Sequence, residues 1–117
     1  MVRRLLTVAT VVLATLALAQ GAWAIGGSIT ARFDHDTENF KGKVSSPDRE
    51  CRVNRVVKVY EITDSGRSLQ GRARTNAEGG WKIHVMEAQG LYVAIAPKAQ
   101  SMHGPCDRLA SERVDVM

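Results

Sequence analysis

The chain has 117 residues, of which 44% are hydrophobic and 24% charged, and a formal net charge of +4. This length allows one domain, and 16 basic against 12 acidic residues is too even a balance for a nucleic-acid-binding surface. No nucleic-acid partner is therefore expected.

The first 24 residues have the pattern of a signal peptide. Arg3 and Arg4 form a short basic region, and an unbroken apolar run follows from 5 to 19. Small residues then occupy the two positions that a signal peptidase reads, which predicts cleavage after Ala24, with cleavage after Ala19 as the alternative. The run is shorter than the roughly twenty residues of a spanning helix, so we expect no transmembrane segment after cleavage. The protein is expected to be secreted or periplasmic.

The remaining residues, 25–117, are expected to form one domain with a net charge of +2, since the leader removes two arginines. Both cysteines, Cys51 and Cys106, lie in this part. An even number of cysteines in an oxidising compartment predicts one disulfide, which would add about 4 kcal/mol to the stability of so small a core. Two free thiols at a reactive or metal site are the alternative, but no CxxC spacing supports it.

Seven short strands are predicted, with turns about every ten residues and no helical periodicity. The clearest alternation has Trp81, Ile83 and Val85 on one face and Lys82 and His84 on the other, which is typical of a sheet with one buried face. In chain order the predicted strands are 29–33, 40–44, 56–62, 69–75, 81–86, 91–96 and 112–117.

The first predicted strand is expected at a sheet edge, while 56–62 and 91–96 are apolar on both faces and are expected in the interior. Between 55 and 96 each joint carries turn residues, including glycines that supply positive φ angles. We interpret these four strands as an antiparallel meander. The fold class predicted from the pattern is an all-β sandwich.

One part of the sequence also resembles a known family. The chain contains V-x-V-Y, then G-x-A-x-T-x-x-x-G-x-W, then G-x-Y-x-A. The residues in these motifs are Val57, Val59, Tyr60, Gly71, Ala73, Thr75, Gly79, Trp81, Gly90, Tyr92 and Ala94. The string is similar to the transthyretin-like, or carboxypeptidase regulatory-like, domains, which are also called prealbumin-like. The resemblance covers about half of the mature chain.

The resemblance implies a seven-stranded antiparallel Greek-key β-sandwich that serves as an accessory, adhesive or stalk module, usually without catalysis. It extends loosely to Cys51 and Cys106, because small secreted bacterial members often carry one cysteine before the third strand and another before the last. The motifs of the related urate-pathway hydrolase are not present.

Residues that would indicate chemistry are few, and no catalytic residue, metal or cofactor is predicted. Asp34, Asp36 and Glu38 alternate in one loop, but without the glycine and later glutamate of an EF-hand they favour a plain polar turn. No serine lies in a GxSxG elbow. None of the histidines has a metal-ligand spacing; they are His35, His84 and His103.

The outward face of the fourth and fifth predicted strands is basic. A hairpin centred on 77–79 would set Arg74 opposite Lys82 and Arg72 opposite His84, and like charges in such pairs destabilise a sheet unless an anion lies between them. The pattern indicates a docking surface for an anionic glycan, a lipid headgroup or an acidic protein surface. The alternative is a solvated face that prevents edge-to-edge pairing.

Two classes of function follow from the sequence. The first is a secreted, non-catalytic structural or binding module that docks an anionic envelope component. The second is a small secreted enzyme with a site built from loops, which would require His84, Arg72 and an acidic side chain to converge in a concave pocket. The sequence leaves the oligomeric state open.

Overall fold

The computed structural model of the protein describes residues 23–117. Residues 1–22, which hold nearly all of the predicted signal peptide, lie outside the described part. Within the described part, no helix has the length and apolar character to cross a membrane.

The described residues form short strands joined by turns, with one turn of 3-10 helix at Arg49–Cys51. The strands are β1 (Ser28–Ile29), β2 (Arg32–Asp34), β3 (Asn39–Ser45), β4 (Val56–Thr63), β5 (Gly66–Arg74), β6 (Gly80–His84), β7 (Gly90–Ala96), β8 (Ala99–Ser101), β9 (Gly104–Cys106), β10 (Leu109–Ala110) and β11 (Val114–Val116). The all-β prediction is confirmed. The described residues contain eleven strands and not the predicted seven, because the first predicted strand is divided into β1 and β2 and the predicted loop after β7 contains three very short strands.

The strands form two antiparallel sheets that face each other, and a small hairpin of β8 and β9 lies beside them. In the first sheet, β3 is central, with β1 and β2 along one side and β6 along the other. In the second sheet, β4 and β7 are central, with β5 on one side and β10 and β11 on the other. The predicted edge and interior positions are therefore confirmed.

The predicted meander is wrong at two joints. One is between β6 and β7, because β7 pairs with β4 in the second sheet and not with β6. At the other joint, β5 pairs with β4 in the second sheet, whereas β6 pairs with β3 in the first, so the chain changes sheets between Arg74 and Gly80. Asn76 shapes this corner, because its side-chain oxygen accepts hydrogen bonds from the backbone N–H groups of Glu78 and Gly80. A corner between sheets needs the same asparagine and glycine conformations as a hairpin, so the turn residues alone do not distinguish the two.

The inner faces of both sheets supply the core. Phe40 and Tyr92, one from each sheet, have ring centroids 4.7 Å apart, an aromatic contact that stabilises a core by about 0.5 to 1.5 kcal/mol beyond area burial. The other buried residues around this pair also come from both sheets. Prominent among them are Ile29, Val44, Val57, Val59, Trp81, Ile83, Ala94, Leu109 and Val116.

Tyr92 also ties the turn before β7 to the sheet. Its hydroxyl donates to the carbonyl oxygen of Gln89 and accepts from the backbone N–H of the same residue, each at 3.1 Å. A tyrosine that bonds back to the backbone a few residues upstream is the tyrosine corner of Greek-key sandwiches. The buried phenol is thus satisfied without a side-chain partner.

The disulfide closes one end of the sandwich. Cys51, at the end of the 3-10 turn, is bonded to Cys106, at the end of β9, with the Cα atoms 5.5 Å apart. This confirms the predicted pairing of the loop before the third predicted strand with the loop before the last. A disulfide is consistent with an oxidising environment.

Candidate anion-binding site

A concave site, here called the basic pocket, opens at the same end of the sandwich as the disulfide. It lies where β4 and β5 meet the 3-10 turn and the segment after β7, and has a volume of about 560 Å³. Among the described residues that line it, one is acidic, Glu50. Six are basic: Arg49, Arg55, Lys58, Arg72, Arg74 and Lys98.

The register of β4 and β5 sets the position of the two predicted arginines. Arg72 lies directly opposite Lys58, and Arg74 lies opposite Val56. Because Val57 and Val59 point into the core, these neighbours are on the solvent side of the second sheet. Two cations in a directly opposed pair repel each other, and a bound anion would remove that repulsion.

Arg55 is the buried cation of the pocket, with 3% of its surface exposed. Its guanidinium donates to the carbonyl oxygens of Cys51 at 2.7 Å and Pro97 at 2.9 Å, and also to that of Asp107. Burial lowers the pKa of Arg55, and the Asp107 carboxylate acts in the opposite direction, yet an arginine in a protein stays charged. The carbonyl oxygens carry no net charge and the opposing Asp107 carboxylate does not line the pocket, so the charge of Arg55 contributes to the positive potential there.

The guanidinium of Arg74 is held at the rim. It donates from Nη1 to the carbonyl oxygen of Asn54 at 3.0 Å, and the residue is exposed to solvent. Arg49 and Lys98 are also exposed, and Lys58 is partly buried. The pocket therefore combines one fixed buried charge with several cations that water reaches.

The other two predicted residues lie elsewhere. Lys82 and His84 are in β6, on the solvent side of the first sheet, opposite Lys41 and Asn39 respectively. His84 Nδ1 lies 3.2 Å from the side-chain oxygen of Asn39. The predicted cross-strand pairs, Arg74 with Lys82 and Arg72 with His84, are wrong because β5 and β6 belong to different sheets. His84 and Arg72 consequently do not converge in one pocket.

Lys82 instead belongs to a second concave surface, here called the second groove. Arg32, Lys41 and Lys82 lie directly opposite one another across β2, β3 and β6. Asp34 forms an ion pair with Lys41 at 3.0 Å, and the hydrogen bond from Lys41 holds the pKa of Asp34 below its ordinary value. Lys43 and Arg74 also line this groove.

Sequence reasoning missed four of the six basic residues that line the pocket. Arg49 and Lys98 are far apart in sequence, and only the folded chain brings them together. Lys58 was within reach of prediction, because the turn at Asp64–Gly66 marks β4 and β5 as a hairpin and pairing across it places Lys58 beside Arg72.

A polar cluster that the sequence did not indicate lies near the disulfide. Asp48 Oδ2 is 3.0 Å from both the Ser101 hydroxyl and His103 Nδ1, and Asp48 Oδ1 accepts from the Glu50 backbone N–H. That backbone hydrogen bond is the main reason that the pKa of Asp48 is lowered. In a catalytic triad the serine donates to the histidine. Here the serine and the histidine each contact the Asp48 carboxylate and not one another, so the cluster attaches the turn at 101–104, between β8 and β9, to the 3-10 turn.

Two carboxylates of the acidic loop accept backbone hydrogen bonds. Asp34 accepts a hydrogen bond from the backbone N–H of Asp36, and Glu38 accepts one from the backbone N–H of Glu87, both at 3.0 Å. Within 23–117, no group of three or more histidine, cysteine, aspartate and glutamate side chains is arranged to hold a metal ion. These contacts fit the polar turn favoured by the sequence.

No protein-family model matches the sequence, and no curated protein matches it either. One similar solved structure is an Fn3-like protein from Clostridium thermocellum, with 12% identity and a TM-score of 0.42. The similarity covers 78% of this chain and 93% of that one. The sheets of this chain themselves define it as an all-β sandwich, with a basic pocket at one end. The transthyretin-like resemblance stays a prediction.

Proposed function

We propose that the protein is an exported, non-catalytic module that binds an anionic component of the cell envelope in the basic pocket. The observation that carries the proposal is the convergence of six basic side chains and one acidic side chain in one concave site. The net charge of the mature chain is only +2. This local excess therefore does not follow from a generally basic composition.

The side chains in the pocket suit carboxylate or phosphate groups. A guanidinium presents planar N–H donors that match either anion in a two-point hydrogen bond, and Arg49, Arg72 and Arg74 are exposed enough to do so. The volume of about 560 Å³ is within the range of small-ligand sites. Arg55 contributes charge beneath them without having to move, because its hydrogen bonds to carbonyl oxygens already fix it.

Export is supported by the disulfide and by the signal-peptide pattern of the sequence. The accessory role implied by the transthyretin-like resemblance is compatible with a binding module. An enzyme, the alternative prediction, would require a nucleophile activated by a neighbouring base. The Ser101 hydroxyl and the His103 ring instead meet through Asp48, which favours the non-catalytic proposal.

The test is calorimetric titration at low salt of the disulfide-bonded protein. The probes are digalacturonate, as a small acidic glycan, and vesicles with and without phosphatidylglycerol. We expect binding to an anionic probe that weakens as salt is added, since exposed charges are screened beyond about 8 Å at physiological ionic strength. The variant R72Q/R74Q should bind at least tenfold more weakly.

A matched control removes two exposed arginines that do not line the pocket, in the variant R108Q/R113Q. It should bind within twofold of the wild-type protein. No heat with any anionic probe would refute the proposed function. Equal losses in both variants would show that net charge, and not the pocket, governs binding.

A further inference from the structure

We infer that the ligand is an extended, linear polyanion that follows a continuous basic track from the basic pocket into the second groove. This inference rests on the proposed function and specifies its ligand class. The observation behind it is that Arg74 lines both concave surfaces. The two surfaces are therefore contiguous, and Arg74 is the point at which they join.

The second groove is as basic as the pocket. Its volume is about 680 Å³, and no acidic side chain is among the described residues that line it. The basic ones are Arg32, Lys41, Lys43, Arg74 and Lys82. Asp34 offsets only part of this charge, through its ion pair with Lys41.

The spacing of the cations suits a ligand with charges at regular intervals. Arg32, Lys41 and Lys82 are on three neighbouring strands, which are about 4.8 Å apart in a sheet. Opposed cations of this kind repel one another, so the row by itself destabilises the sheet. A chain with an anionic group in each repeat would place a counter-charge beside each of them.

The track turns round the edge of the sandwich. Arg72 and Lys58 are on the solvent side of the second sheet, whereas Lys82 is on the solvent side of the first, and packed sheets are about 10 Å apart. A flat anionic membrane cannot reach both outer faces at once. A flexible chain can, because it passes from one face to the other at the corner between Arg74 and Gly80.

Simultaneous contact with both surfaces would raise affinity without any new type of contact. Once a ligand chain is bound in the pocket, its next units are held near the second groove at high effective concentration. Affinity should therefore rise steeply when the chain becomes long enough to span both. A single anionic headgroup would show no such dependence.

The test measures affinity against length for galacturonate di-, tetra-, octa- and dodecamers, with inorganic polyphosphates of matched charge as a second series. For the wild-type protein we expect octamers to bind at least tenfold more tightly than dimers. The two series distinguish carboxylate from phosphate as the anionic group. Vesicles containing phosphatidylglycerol serve as the membrane comparison.

The decisive variant is K43Q/K82Q, which removes two exposed cations of the second groove and leaves the pocket unchanged. Dimer binding should stay within twofold of wild type, while the advantage of the octamer should be lost. Unfolding midpoints would establish that the variant is folded. The salt dependence of binding by the wild-type protein is a second measurement that needs no variant, and we expect it to be steeper for the octamer than for the dimer.

The inference would be overturned if affinity did not depend on ligand length, or if K43Q/K82Q kept the tighter binding of the octamer. In either case, binding of the dimer would leave the proposed function intact. Vesicle binding as tight as octamer binding would overturn the inference as well. Failure of every anionic probe to bind would remove both proposals together.

Discussion

The guanidinium of Arg55 donates a hydrogen bond to the carbonyl oxygen of Cys51, at 2.7 Å, from within the closed end of the sandwich. The same guanidinium donates to the carbonyl oxygen of Asp107, the residue after Cys106. One side chain thus links the two segments that the disulfide links covalently. The two connections constrain the same part of the chain, and their contributions to stability should depend on each other.

Arg55→Met is expected to lower the free energy of unfolding by about 3 kcal/mol, because three carbonyl oxygens lose a charged donor. Removing the disulfide with Cys51→Ala and Cys106→Ala should cost about 4 kcal/mol. In the variant that combines all three changes, the loss of unfolding free energy should be smaller than the sum of the two separate losses by more than about 0.5 kcal/mol. The reason is that once one connection is removed, the two segments are less constrained, and the other connection then contributes less. Urea unfolding of the four proteins measures this coupling, and additive losses would contradict it.

Trp81→Ala is expected to cost about 3 to 5 kcal/mol, as for other buried aromatic residues. The indole is 5% exposed, and its Nε1 has no hydrogen-bond partner among the described residues. Trp81→Phe should therefore cost less than the alanine change, because it removes volume but breaks no hydrogen bond. Met86→Ala is the control, since Met86 is exposed beyond the end of β6. Thermal midpoints unaffected by Trp81→Ala would contradict the burial.

Gly42→Ala is expected to destabilise the first sheet by about 1 to 3 kcal/mol or more, the range for overpacked cores. A Cβ atom at Gly42 would lie 1.8 Å from the carbonyl oxygen of Thr30 and 3.0 Å from Cζ2 of Trp81. Backbone at Thr30 cannot yield as a flexible side chain can. Gly26→Ala is the matched control, because its Cβ would meet nothing within 4 Å. Equal unfolding midpoints for both variants would be inconsistent with the close approach.

Acid should loosen the attachment of the turn at 101–104. The pKa of Asp48 is lower in the folded chain than in the unfolded one, so its contribution is present above the ordinary carboxyl pKa. That contribution is lost as the pH falls below about 4 and through the folded value. Asp48→Asn should make the decline of the unfolding midpoint between about pH 5 and pH 2 shallower. A decline as steep as that of the wild-type protein would count against this role.

Much of the inner face of the sandwich was predictable from the sequence. Alternation along a strand is a local property, because successive side chains point to opposite sides of the backbone. It placed Trp81, Ile83 and Val85 on the buried face and Lys82 on the surface without any knowledge of the neighbouring strands. The disulfide was also predictable, since the sequence contains two cysteines and both lie after the predicted signal peptide.

The partners of each strand were decided by the tertiary structure. The turn residues after Arg74 are compatible with a hairpin or with a crossing between sheets, and only the packing of both inner faces selects the crossing. That choice separates Lys82 from Arg72. The basic pocket also required the tertiary structure, because no local pattern specifies the positions of Arg49, in the 3-10 turn, and Lys98, in the segment after β7. Side-chain direction is fixed by the backbone of a single strand, whereas the assembly of a site requires contacts between segments that are distant in sequence.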